Sequence, residues 1–440
     1  MKRLICVLSL MLLCPAFAGQ EHTGARSGER AGEPFIRIKD DDDSGRVSLQ
    51  IASRTYRRGP EEPAVTLVGA AHIGTPAYYH ALQRLLDAND LVLFEGVGPI
   101  WATLAPDADD RERARATRER LRTLGLAIEA RRRRGETPDT LAALLTDRGY
   151  RTRLLRTATR DGWGHPIRYT HDADGFDLTS LGADAAPGGR GADADLSLSD
   201  LPPLQDAELD DAKGIQSSLA DAAGLVFQLD AIEYDKPNWR NCDTTAEALS
   251  YAMAGLNPDD ARPGDGSPRT GGGSPLFDLM RGEGLVGRLA GGMLKLLGSS
   301  PRSSAMLRLM LIETLAHADD LMGMDVEGLN EMMDVLLEQR NGVVLRDLRK
   351  EIDRRTDRPG RIAVFYGAGH LAGLAADLEK MGYRPTTTTW LDAVRVDPGA
   401  VGMTPQQARG VRSMIDSMLA TQMRDHADHN AQKLKPAQKE

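Results

Sequence analysis

Two histidines stand in matching settings at distant points of the chain. The run beginning at Val65 closes on Gly69-Ala70-Ala71-His72, and the run beginning at Ile362 closes on Gly367-Ala368-Gly369-His370. Imidazole both binds metals and moves protons near neutral pH, so a histidine pair is a candidate chemical site. Each apolar run has the length of a strand buried on both faces, and each leads through glycines into a helical pattern. Both rings therefore leave the carboxyl ends of strands, where open α/β sheets bind their ligands. A third strand, Leu91-Val92-Leu93-Phe94, ends in Glu95-Gly96 and sets a carboxylate in an equivalent position. Taken singly, a strand-end histidine is more often a hydrogen-bonded packing residue, and the plain alternative for Glu95 is a salt bridge to an arginine. The repeated setting is what points to one shared crevice.

The elements that must hold these residues follow from periodicity. Tyr78, Leu82, Leu85 and Leu86 mark the apolar face of a helix between the strands at 65–70 and 91–94, which makes a compact βαβ unit. A strongly charged helix then begins near Asp109 and runs to Arg134, with a shorter one from Pro138 to Leu145. Past Pro203, Gln228 to Asp235 reads as a strand or helix end that leads into a loop. Residues 257–275 form a Pro/Gly/Ser linker, and Leu285 to Leu297 carry an apolar stripe expected to pack on the scaffold. Length alone suggests two or three domains. The expected fold class is α/β, with a mixed or mostly parallel central sheet, flanking helices and an α+β insertion.

The ends of the chain bear on location. Lys2 and Arg3, the apolar stretch Leu4 to Cys14 and Ala16-Phe17-Ala18 have the layout of a secretory signal peptide, with cleavage expected before Gly19. An exported protein, periplasmic or secreted and with no stable transmembrane span after cleavage, is the expectation. Removing that segment leaves Cys242 as the one cysteine, so no internal disulfide can form. Residues 19–45 read as a flexible leader and 398–440 as a polar helical tail at the periphery. The formal net charge of −9 becomes two units more negative without Lys2 and Arg3, which argues against nucleic acid as a partner. The run Arg131 to Arg134 reads as a solvated helix face.

Residues 107–203 differ in character from what flanks them. Asp161-Gly162-Trp163-Gly164-His165-Pro166, then Asp177-Leu178-Thr179-Ser180-Leu181-Gly182-Ala183-Asp184, then Gly188 to Asp195 resemble the C-terminal part of the major pseudopilin of type II secretion systems, GspG. The resemblance implies a calcium loop of carboxylates and backbone carbonyls. It falls on Asp184, Asp193 and Asp195, with Leu181 as carbonyl donor. Gly162 replaces a proline of that pattern, and Ala194 stands where a second acidic residue is usual, so Asp193 is expected to reach in. The charged stretch from Ala105 to Arg120 is no hydrophobic assembly helix, so pilus polymerisation is not expected. A protein partner for the insert is.

The remainder, 46–106 and 204–397, resembles the TraB/GumN family, which includes the Tiki metalloproteases. Gly69-Ala70-Ala71-His72, Phe94-Glu95-Gly96, Glu338-Gln339-Arg340-Asn341 and Gly367-Ala368-Gly369-His370 with Gly373 carry the likeness, and the segment Gln228 to Asp243 is similar to members of its bacterial branch, with Tyr234, Asp235 and Asp243 on matching positions. It implies a metal-dependent hydrolase acting on a peptide or protein. His72 and His370 would be metal ligands, and Glu95 either a third ligand or the base that activates water. Arg340 would hold a substrate carboxylate or steady an oxyanion, and Asn341 would orient a loop. Such a donor set suits zinc, manganese or cobalt. Two other functions stay open: a non-catalytic periplasmic peptide-binding protein, and a metal-independent esterase with a histidine base. His80, His165, His171 and His317 have no supporting partners in the sequence.

Overall fold

Strands buried on both faces must alternate their side chains between two cores, and those at 64–70, 91–94 and 361–367 do so. In the computed structural model, Val65, Leu67, Leu93 and Val364 pack into one apolar cluster, while Val68, Val92, Phe94 and Phe365 pack into another. Each such side chain contributes roughly 1.5–3 kcal/mol by leaving water. The structure describes residues 33–41, 43–102, 104, 108–146, 149–173, 175–204, 215–245, 248, 249, 251, 298, 300–317, 335–355 and 360–433. The signal segment, the 257–275 linker and the Leu285 to Leu297 stripe lie outside the described residues.

The strands in chain order are β1 (Ile36–Asp41), β2 (Arg46–Arg57), β3 (Ala64–Ala70), β4 (Ile73–Gly74), β5 (Leu91–Phe94), β6 (Arg168–His171), β7 (Phe176–Ser180), β8 (Leu196–Ser197), β9 (Val226–Phe227), β10 (Trp239–Asn241), β11 (Arg361–Gly367) and β12 (Arg384–Val396). The helices are α1 (Pro76–Asp87), α2 (Asp110–Arg132), α3 (Tyr150–Ala158), α4 (Ile215–Ala223), α5 (Pro301–Ala316), α6 (Arg340–Asp353), α7 (Leu371–Lys380) and α8 (Pro405–Lys433). A short turn of helix at Gln228–Ala231 stands where a strand or helix end is expected.

One mixed sheet dominates. β3, β11, β5 and β10 run parallel in that spatial order, and β2 adds antiparallel to β3. β2 pairs with β12 on its other edge, and its first half carries β1. The βαβ unit forms as expected, but β3 and β5 are not neighbours, because β11 lies between them with Val364 opposite both Leu67 and Leu93. The strand that delivers the second histidine is thus held between the two strands that deliver the first histidine and the glutamate.

Two boundaries are corrected. β1 lies inside the segment read as a flexible leader. Its Ile36 and Ile38 pack on the core while its remaining residues stay polar, the pattern of an edge strand. The C-terminal helix is not peripheral either, since Ala408, Ile415 and Leu419 of α8 are buried on the core that includes α5. A separate apolar cluster is built on Leu121, Leu124 and Ile128 of α2 with Leu155, Ile167 and Leu178, and it also takes in Trp101. The N-terminus of α2 is closed by a capping box between Asp109 and Glu112. β6, β7 and β8 form a separate antiparallel sheet. Among the described residues, no helix is long and apolar enough to cross a membrane.

Gly69 of β3 lies close against β2. A Cβ there would stand 2.7 Å from both the Ala52 carbonyl oxygen and Ile51 Cγ2. Gly69→Ala is expected to lower stability by about 1–3 kcal/mol through overpacking, measurable as a reduced urea midpoint at unchanged m-value.

Candidate functional site

Parallel strands finish on one edge of their sheet, so β3, β11, β5 and β10 deliver their next residues to a common rim. Glu95 follows β5 and is held by the neighbouring strand: its amide donates to the Phe365 carbonyl at 2.9 Å, and its Oε2 accepts the Gly367 N–H at 2.5 Å. Its Oε1 accepts from Arg340 Nη2 at 2.5 Å. Arg340 opens α6, with only 2 % of its surface exposed, and turns its other donors on Asp243: Nε to Oδ1 at 2.9 Å and Nη2 to Oδ2 at 2.7 Å. Asp243, just past β10, also accepts the Gly96 and Thr244 amides at 2.9 and 2.8 Å. One guanidinium therefore sits between two carboxylates in a dry environment. The plain alternative for Glu95, a salt bridge to an arginine, is present, and Arg340 itself is engaged within the protein.

His370 follows β11 and has no exposed surface. Its Nδ1 lies 2.8 Å from Asn341 Oδ1, an acceptor, so Nδ1 carries the proton and Nε2 the lone pair. That Nε2 stands 3.8 Å from Glu95 Oε1, beyond hydrogen-bond reach, and has no hydrogen-bond partner among the described residues. The ring meets Tyr366 edge-on at 5.3 Å, and the Tyr366 hydroxyl donates to the Cys242 carbonyl at 2.5 Å. His72 leaves β3 on a segment pinned by two tyrosines of α1. The Tyr79 hydroxyl donates to the Ala71 carbonyl at 2.8 Å, and that of Tyr78 bridges the Ala71 amide and the Gly69 carbonyl, each at 3.2 Å. The His72 carbonyl accepts the Gln228 amide at 2.8 Å.

The charges in this group act on one another. Burial disfavours the ionised form of Glu95, yet Arg340, His370, His72 and the Gly367 N–H outweigh it and lower the carboxyl to about 2. For His370, burial dominates, Glu95 opposes it, and Arg340 and His72 add to it, so the imidazole falls to about 3 and is neutral at pH 7. Burial likewise opposes the charge on Arg340, and its two carboxylates prevail, raising it further. His72, Glu95 and His370 thus share one electrostatic environment. Their ligand atoms do not close on one point, however. Among the described residues, the one set of three His, Cys, Asp or Glu whose ligand atoms all lie within 4.8 Å of each other is Glu313, His317 and Asp416.

The same limit applies to the loop of the insert. Asp184, Asp193 and Asp195 do not close to that separation, and two of them bond the loop itself: Asp184 Oδ1 accepts the Ala186 amide and Asp195 Oδ2 the Gly188 amide, both at 3.0 Å. Leu181 is buried, so its side chain anchors the start of the loop.

Sequence reasoning assigned no role at the site to Asp243 or Tyr150, and it gave Asn341 a loop rather than a ring to orient. Tyr150 begins α3, and its hydroxyl donates to the Gly96 carbonyl at 3.2 Å and accepts from Asn241 Nδ2 at 3.2 Å. Arg153 donates to the Tyr234 carbonyl at 2.8 Å, and Arg156 pairs with Asp235. The first turn of α3 is therefore a wall of the rim beside Glu95. The adjacent Gly149-Tyr150 was a signal available in the sequence: Gly149 has φ +113°, and a Cβ there would lie 2.3 Å from the Leu229 carbonyl oxygen.

Two outcomes follow. Arg340→Met leaves Glu95 and Asp243 buried without a counter-charge and is expected to cost about 3–5 kcal/mol, read by chemical denaturation. In the metal-free protein under chelator, His370 and Glu95 both have folded values below their ordinary 6.5 and 4.5. The folded state then binds fewer protons than the unfolded chain, so their contribution is complete above pH 6.5. It declines as pH falls towards 3 for the imidazole, and between 4.5 and 2 for the carboxyl. Melting temperature should drop across the first window, and His370→Gln should flatten that drop.

Residues 107–199 match the family model described as Type II secretion system (T2SS), protein G. The chain is 36 % identical over 95 residues to the type II secretion system core protein G of Xanthomonas campestris pv. campestris, a match that covers 20 % of this chain. The chain spans 66 % of the length of that curated relative. No solved structure matches. Tyr150, Leu181, Asp184, Asp193 and Asp195 fall inside the matched segment, whereas His72, Glu95, Asp243, Arg340 and His370 fall outside it. What the comparisons establish is a protein G-like segment, set within a mixed α/β structure whose rim carries the histidines.

Proposed function

We propose that the chain is an exported, metal-dependent hydrolase, most simply a peptidase of the TraB/GumN type, with its site at the rim formed by β3, β11 and β5. One observation carries the reading: the buried Nε2 of His370, without a hydrogen-bond partner among the described residues and 3.8 Å from Glu95 Oε1, while Asn341 fixes the ring through Nδ1. A metal-binding histidine ordinarily has its second nitrogen held in this way. His72 and Glu95 supply the other imidazole and a carboxylate, a donor set suited to zinc, manganese or cobalt, and the three ligand atoms must move together to share one ion. A bound cation of this kind would supply Lewis acidity and a water acidic enough to be deprotonated near neutral pH.

The remaining chemistry belongs to the chain. A carboxyl lowered to about 2 is a weak base, which favours Glu95 as a ligand and electrostatic partner over Glu95 as the group that takes the proton. A neutral, buried imidazole near 3 suits a ligand, and it is equally weak as a base, which counts against the metal-independent esterase. Arg340 is assigned to holding Glu95 directly, itself anchored by Asp243, rather than to substrate. The protein G-like segment supports a protein partner in the cell envelope, and a peptide-binding protein without catalysis is the second reading that this segment favours.

The test is hydrolysis of a fluorogenic peptide mixture by the full chain, with metal content measured alongside. The expected result is a bound transition metal and turnover that falls at least about 100-fold in His72→Ala and His370→Ala. Peptides that bind but stay intact, with no transition metal in the protein, would leave the binding reading and remove the enzyme.

A further inference from the structure

Away from the rim, the C-terminal helix meets α5 through a group of ionisable side chains. Glu313 and His317 lie one turn apart at the end of α5, and Arg412 and Asp416 lie one turn apart on α8. Glu313, His317 and Asp416 each bring a ligand atom within 4.8 Å of the others. Glu313 is almost wholly buried, and Asp416 Oδ1 is a buried oxygen with no hydrogen-bond partner among the described residues. Arg412 is the counter-charge in place: it donates to Glu313 Oε1 and to Asp40 of β1. Two carboxylates, Asp40 and Glu313, thus share one guanidinium, while Asp416 crowds Glu313 from the facing helix without an ion pair to Arg412 among the described residues.

His317 has the second-sphere contact that a ligand histidine needs. Its Nδ1 lies 2.9 Å from the Glu313 carbonyl oxygen, so Nδ1 carries the proton and Nε2 keeps its lone pair. We infer that Glu313, His317 and Asp416 form a second divalent-metal site, of the zinc class, that ties α8 to α5. The donor set of one imidazole and two carboxylates suits a borderline cation, and a dication would relieve the crowding of the Glu313 and Asp416 carboxylates. Burial, with Asp416 adding to it and Arg412 opposing it, raises the Glu313 carboxyl, as expected where two acids crowd one place. The site is separate from the rim, and its role would be to fasten the helix that follows the sheet.

The test uses the metal-free full chain carrying His72→Ala and His370→Ala, titrated with Zn²⁺ alone by calorimetry and by thermal unfolding. The expected result is one bound equivalent and a higher melting temperature. Adding His317→Gln or, separately, Asp416→Asn should weaken binding at least about 10-fold, in a metal-free protein that still unfolds cooperatively. Asp416→Asn keeps the shape of the side chain, so it decides the matter if the histidine variant folds poorly. Absence of saturable Zn²⁺ binding in the double variant, or binding that neither substitution weakens, overturns the site. Because both rim histidines are removed throughout, the outcome is independent of whether the rim binds metal.

Discussion

A guanidinium withdrawn from water must be surrounded by acceptors, and Arg340 obtains them by reaching from the start of α6 to Glu95 and Asp243. The two carboxylates come from the ends of different strands, so the triad joins β5, the segment after β10 and α6 at one point. Each partner is costly alone and tolerable only with the others, because desolvating an unpaired charge costs several kcal/mol. The same triad settles the electrostatics of the rim. It keeps Glu95 ionised, while burial keeps His370 neutral against the pull of Glu95, the protonation states in which both can bind a cation.

The insertion of β11 between β3 and β5 is the backbone counterpart of that triad. It allows Gly367 to donate to Glu95, and it sets His370 beside the carboxylate rather than across the sheet. The protein G-like segment is not loosely appended to this arrangement. Tyr150 bonds the Gly96 carbonyl while the Gly96 amide bonds Asp243, so the segment reaches the triad through a single residue of backbone. Ring contacts of Tyr150 with Phe94 and Tyr234 add apolar packing to the same junction.

Much of the rim could be read from local pattern. The apolar runs before His72, Glu95 and His370 identify buried strands, and glycines after them identify turns at their carboxyl ends. What local pattern does not encode is which strand neighbours which. The pairing of Glu95 with Arg340 spans 245 residues, and nothing near either residue announces it. Asn341 was visible as part of a motif, but its task depends on where His370 lands. β1 was hidden because an edge strand with one buried face and an Asp run resembles a solvated leader. Ala408, Ile415 and Leu419 of α8 were too sparse among polar residues to reveal a docked face.

The account rests on His370 Nε2 and Glu95 meeting a cation together with His72, after the rim closes on it. Anomalous diffraction from crystals of the full chain grown with Zn²⁺ tests this most directly. A peak at the rim, with His72, Glu95 and His370 atoms at roughly 2.0–2.2 Å from it, is the predicted result. A rim with no peak at saturating Zn²⁺, and His72 still apart from Glu95 and His370, would contradict it.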